Sequence, residues 1–178
     1  MARLGAAPML AAIGGAAWLI GGTSLWGPLL SILLPMATAI GVSRKWAFAS
    51  ALVYYLTGSV SITGAMAGYY GDAPWALGWL AWLGASAALA LPWMLDRSVG
   101  GRLLALIATA IPPLGVIGWL SSLNAAGVMF PATGWLGLGL TAALLTWCDA
   151  VYARRWPTRG MGPAPGRGGR SWPCGLSF

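Results

Sequence analysis

The 178-residue chain is 58% hydrophobic and 7% charged, with a mean hydropathy of +0.76, whereas about a quarter of a soluble domain is charged. Its net charge of +7 comes from ten Lys and Arg against three acidic residues, with no histidine. No glutamate occurs either, so Ser-His-Asp, Cys-His and zinc-ligand constellations are excluded, and the apolar runs predict an all-α polytopic membrane bundle.

The first run extends from Leu4 to Gly22, behind Arg3. A secretory signal peptide competes at this point, because a basic start and the small residues Gly14 to Ala17 fit one loosely. With further spans downstream only a start signal is needed, and the run is read as the first span. Leu25 to Val42 is the second, with Pro28 near its start and Pro35 inside it. Pro35 removes a backbone donor and predicts a kink.

Ser43-Arg44-Lys45 is a charged loop, and Trp46 to Tyr70 is the third span, closing on the aromatic pair Tyr69-Tyr70. Gly64 and Gly68 in this span form a GxxxG, which predicts a face small enough for close helix contact. Ordinary helix packing accounts for such a face, with dimerisation or ligand binding as the alternatives. Leucine at both positions is expected to impair packing. Gly71 to Pro74 makes a turn, and Trp75 to Leu95 is the fourth span, whose Trp75, Trp79 and Trp82 read as an interfacial anchor.

A loop from Asp96 to Arg102 leads to the fifth span, Leu103 to Leu120, broken by Pro112-Pro113. The sixth is Thr133 to Tyr152. Between them, Ile111 to Gly137 gathers a double proline, five glycines, a Ser-Ser-Leu-Asn break and a Phe-Pro-Ala-Thr-Gly-Trp turn. Irregular backbone at membrane depth persists only where protein or water covers it, so this stretch is the expected functional surface. Trp119, Phe130 and Trp135 offer apolar and aromatic area there, and Ser121, Ser122 and Asn124 offer hydrogen bonds. A purely structural role, capping and anchoring two helices, is the competing account.

On a six-span arrangement all ten basic residues fall on one side and none lies in the three opposite loops. The positive-inside rule makes that side cytoplasmic, which places the chain in the bacterial inner membrane with both termini in the cytoplasm. Asp72 is then outside while Asp96 and Asp149 are inside, so no carboxylate pair assembles for acid/base work. Asp149, beside Cys148 in the last turn of the sixth span, is the one candidate for a functional acidic group inside a span, and its position lets it reach the interface and Arg154 and Arg155 instead. Cys148 and Cys174 sit in unlike settings and imply no disulfide framework. No phosphate-binding glycine motif is present, and no cofactor or metal is expected.

Residues 1–156 therefore read as one transmembrane bundle, and residues 157–178, rich in Pro, Gly and Arg, as a disordered basic tail. Its arginines predict weak attraction to lipid headgroups or nucleic acid. An out-of-frame reading of GC-rich codons would also produce such a tail.

LWGPLLSILLPMATAIGVSRK, WAFASALVYYLTGSVSITGAMAGYYG, the helix end from Leu91 to Arg97, and PPLGVIGWLSSLNAAGVMFPATGWLGL follow one another in an order that resembles a known family. That family is the membrane domain of conjugal transfer protein TraB and apolipoprotein N-acyltransferase. The resemblance covers Leu4 to Arg155 and is most specific from Pro112 to Leu138. It implies a bundle that holds an acyl donor or lipid-modified partner beside an extracytoplasmic carbon-nitrogen hydrolase domain with a Glu, Lys and Cys catalytic set. None of that set maps onto this chain, which has no glutamate and whose one lysine, Lys45, lies in an early loop. The expectation is a shortened relative that serves conjugal plasmid transfer with other conjugation-system membrane proteins and membrane lipid, without catalysis of its own. A small transporter or channel subunit, or a nonfunctional truncated product, are the alternatives. A channel would show a midplane cavity at Pro112-Pro113, and the family reading a lateral groove.

Overall fold

The structure, a computed structural model, describes residues 2–20, 25–40, 43–71, 75–95, 98–117 and 120–155. Within them the chain is helical, with no strand. In order the helices are α1 (Ala2–Ala16), α2 (Trp26–Leu30), α3 (Leu33–Ile40), α4 (Arg44–Gly58), α5 (Ser61–Tyr70), α6 (Trp75–Ala90), α7 (Val99–Ala108), α8 (Leu114–Ile117), α9 (Ala125–Met129) and α10 (Trp135–Arg155). Short 3-10 turns extend α1 to Leu19 and α6 to Met94, and another covers Ser122–Asn124. The tail beyond Arg155, the acidic residues Asp72 and Asp96, and Trp119 lie outside the described residues.

Local chemistry explains several boundaries. Ser43 and Ser98 take extended backbone and cap α4 and α7, their Oγ atoms accepting from the amides of Trp46 at 3.4 Å and Gly101 at 3.1 Å. Three of the apolar runs are interrupted: at Ser31-Ile32, at Ser59-Val60 and from Thr109 to Pro113. The first break is a direct effect of Pro35. Lacking an N–H, Pro35 leaves the Ser31 carbonyl without its helical donor, and that oxygen accepts instead from the Leu34 amide at 3.1 Å and the Ser122 hydroxyl at 2.8 Å. The kink therefore lies one turn ahead of the proline. At the second break Ser59 Oγ donates to the Tyr55 carbonyl and shares a 3.2 Å hydrogen bond with Ser86 of α6.

The helix α4 is the centre of the bundle and packs against α1, α3 and α6. Its Tyr54 and Tyr55 are fully buried among Ala11, Leu34, Leu89, Trp93 and Leu106, with their rings edge to face at 5.2 Å. Small residues set the closest crossings. A Cβ on Gly15 would strike the Tyr54 carbonyl, and one on Gly14 would lie 3.0 Å from the Leu30 carbonyl. The expected close face at Gly64 and Gly68 is not used within the chain, since a Cβ at either meets no atom within 4 Å. Every residue of α5 escapes burial because this helix leans on α6 alone for its main contact.

One helical stretch, Trp75–Met94, is long and apolar enough to cross a membrane, and 28% of its apolar window is buried in the bundle. The shorter apolar helical stretches are Gly5–Leu19, Trp26–Ile40, Val99–Ala108 and Trp135–Cys148. The second, third and fifth expected spans are each divided by the breaks described above.

Candidate functional site

Among the described residues, 109–117 and 120–138 depart furthest from simple helical packing. After α7 the backbone closes tightly, with the Ala110 amide donating to the Ile107 carbonyl at 2.9 Å and the Thr109 hydroxyl to the Leu106 carbonyl at 2.9 Å. Pro112 and Pro113, joined by a cis peptide bond, bring no amide N–H to this turn. The start of α8 then folds against the turn: a Cβ on Gly115 would lie 2.5 Å from the Ala110 carbonyl, so only glycine fits.

The next segment is drawn into the bundle rather than held on its surface. Leu120, Ser121 and Ser122 are buried. The Tyr54 hydroxyl donates to the Leu120 carbonyl at 2.9 Å while accepting from the Trp18 indole N–H at 2.9 Å. Leu120 itself fits because Gly58 has no side chain, a Cβ there falling 3.2 Å from Leu120 Cδ1. Ser122 donates to the Ser31 carbonyl, and Ser121 Oγ accepts from the Leu123 amide at 3.3 Å. Both serine hydroxyls are thus spent inside the chain. The sequence left both a partner surface and a helix-anchoring role open to them; here they anchor backbone that would otherwise bury unpaired polar groups.

Beyond this anchor, α9 buries Ala125 and Ala126 and turns out at Phe130. The turn uses left-handed backbone at Ala132 (φ 64°) and Gly134 (φ 56°), with the Thr133 hydroxyl donating to the Phe130 carbonyl at 2.6 Å. An open groove of about 440 Å³ lies between α9 and the start of α10, lined among others by Leu123, Asn124, Gly127, Phe130, Trp135 and Leu138. Of the expected surface residues, Asn124, Phe130 and Trp135 meet here, with Trp135 89% exposed and Phe130 half-buried. No charged side chain lines the groove. Neither it nor the two other clefts described is lined by Pro112 or Pro113. Cys148 is exposed on α10, and no group of three metal-ligating residues occurs among the described residues.

The residue that sequence reasoning missed is Tyr54, whose hydroxyl ties α1 and α4 to the 120–124 segment. Its only sequence signal is a tyrosine pair well inside an apolar run, where a phenol needs a partner.

The class these features define is, among the described residues, an all-helical bundle with an internally anchored, proline-broken segment, and two of its sequence relatives are named as conjugal transfer proteins. Over most of its length the chain is homologous to conjugal transfer protein TraB. It is 34% identical to that protein from Agrobacterium fabrum over 163 residues, 82% of this chain and 37% of the relative. It is 32% identical to the probable conjugal transfer protein TraB of Sinorhizobium fredii over 139 residues, 71% of this chain and 35% of the relative. The chain thus spans just over a third of the length of these curated relatives. No protein-family model matches it, and no solved structure does.

Proposed function

We propose that the chain is a multi-pass protein of the bacterial inner membrane that serves plasmid conjugal transfer, with six spans, cytoplasmic termini and no catalysis of its own. The observation that carries this reading is the homology to TraB over most of the chain. The spans would be α1, α2 with α3, α4 with α5, α6, α7 with α8, and α10. Polar groups at two of the breaks and in the 120–124 segment have partners inside the bundle, as a nonpolar surrounding demands: the Ser31 carbonyl accepts from Ser122, the Ser59 hydroxyl bonds the Tyr55 carbonyl and Ser86, and the Leu120 carbonyl accepts from Tyr54. The absence of glutamate and histidine from the sequence supports a non-catalytic role for this stretch.

The groove at Leu123–Leu138 is the surface that would meet a partner on the non-cytoplasmic side. Its uncharged lining and exposed Trp135 suit an apolar segment of another conjugation-system membrane protein or a lipid-modified partner. The test is plasmid transfer from donor cells in which the chromosomal or plasmid copy is deleted and the chain is supplied in trans. Transfer should be restored by the native chain and reduced by Trp135→Ala at equal protein level; restoration by neither, with the chain stably inserted, sinks the conjugation reading. Topology is tested separately. A reporter active only outside the cytoplasm should be active when fused after Asn124 and silent after Tyr152, and the opposite pattern overturns the six-span arrangement.

A further inference from the structure

The hairpin of α5 and α6 carries a second cleft, remote from the groove in sequence and built differently. It measures about 220 Å³ and is lined among others by Gly64, Met66, Ala67, Tyr70, Trp75 and Trp79. The two helices close on each other at Gly78, where a Cβ would lie 3.3 Å from the Thr63 carbonyl. Tyr70 ends α5 and Trp75 begins α6, so they flank the cleft at its hairpin end. Trp75 is 80% exposed and the neighbouring Tyr69 83%.

We propose that this cleft binds one acyl chain of a bilayer phospholipid, with Tyr70, Trp75 and Trp79 at the level of its ester and phosphate groups. No charged side chain lines the cleft, which matches hydrocarbon and not a charged ligand. Its one hydroxyl away from the hairpin end, that of Thr63, already donates to the Val60 carbonyl at 2.8 Å. The Tyr70 hydroxyl and the indole N–H groups of Trp75 and Trp79 have no hydrogen-bond partner among the described residues. Apolar walls below and neutral donors at the rim are complementary to an acyl chain below ester and phosphate acceptors. The volume is below the ~300–1,000 Å³ of drug-sized sites, which suits a slender chain and not a ring system. Leu77 lines the cleft from α6, which with its 3-10 extension is the one membrane-length helical stretch among the described residues, and Leu80 and Leu83 of the same helix are exposed. The inference rests on the membrane reading above.

The experiment uses the full chain reconstituted in phosphatidylethanolamine and phosphatidylglycerol vesicles doped with a phosphatidylcholine bearing a mid-chain diazirine. Illumination and peptide mass spectrometry should find lipid adducts on Met66 and Ala67 as well as on Leu80 and Leu83. Gly64→Leu has room at its Cβ and fills the cleft, so it should remove the first pair of adducts and keep the second. Gly68→Leu, also with room and not lining the cleft, should change neither. Adducts on Leu80 and Leu83 alone, or cleft adducts indifferent to Gly64→Leu, overturn the cleft and leave the membrane reading standing. No adduct on α6 at all defeats the membrane reading, and a protein–protein adduct joining two copies at Met66 makes a second copy the occupant and overturns the proposal.

Discussion

Tyr54 shows how one polar atom organises apolar surroundings. Its hydroxyl is both acceptor for Trp18 and donor to the Leu120 carbonyl, joining residues 36 and 66 positions away. Tyr54→Phe leaves that carbonyl and an indole N–H buried or half-buried without partners, and is expected to lower stability by about 1–3 kcal/mol. Thermal unfolding in detergent measures this, and Trp18→Phe combined with it should be less than additive. Ala132 makes the opposite case. Its φ of 64° holds a Cβ in the left-handed region, so Ala132→Gly should raise stability by about 0.5 kcal/mol, the gain in the turn exceeding the added freedom of the unfolded chain. Neither effect was legible in the sequence: a tyrosine in an apolar run announces that it needs a partner, but not which carbonyl 66 residues on will be exposed to it.

At the level of elements, breaks and crossings carry the argument. The sequence locates the break in the second run through Pro35, and the structure adds what uses the freed carbonyl. Pro35→Ala restores an amide able to compete for Ser31, and the expected outcome is faster hydrogen exchange of the amides from Leu120 to Asn124, read by mass spectrometry. Unchanged exchange there would show that Ser122 is held by packing alone. The glycine crossings make a paired prediction. Gly15→Leu must displace the Tyr54 backbone and should lower stability by about 1–3 kcal/mol, whereas Gly68→Leu meets open space and should stay within about 0.5 kcal/mol. The GxxxG spacing alone suggested the reverse emphasis. A spacing states which residues share a face, and not whether a neighbour lies against that face.

Across the whole molecule the two clefts separate by chemistry. One lies on the internally anchored hairpin, where polar bonds fix the backbone and leave Trp135 outward; the other lies on the α5–α6 hairpin, where nothing is buried in α5 and aromatic tips rim an apolar slot. The homology to TraB covers both hairpins, since it spans 82% of the chain. The proposed membrane setting calls for polar bonds inside the bundle and apolar side chains outside it. Leu77, Leu80, Leu83, Leu136 and Leu140 are exposed, while the hydroxyls of buried Thr38, Ser86 and Thr141 are hydrogen-bonded within the chain.

By itself the sequence determined helical class, the interruptions at Pro35 and Pro112-Pro113, and the segment from Ile111 to Gly137 as the place where the backbone departs from helix; the caps Ser43 and Ser98 stood in stretches read as loops. Those features are local, set by missing donors, missing Cβ atoms and short polar side chains, so they can be read one turn at a time. The tertiary structure alone decided which face of each helix turns inward, that Ser121 and Ser122 look into the bundle, and that Gly14, Gly15 and Gly58 make the close crossings. The physical reason is the uniformity of the chain. Where leucine and alanine occupy every side of a helix, as on α6, burial leaves no periodic contrast to read. Direction is then set by hydrogen bonds and small-residue contacts between elements far apart in sequence.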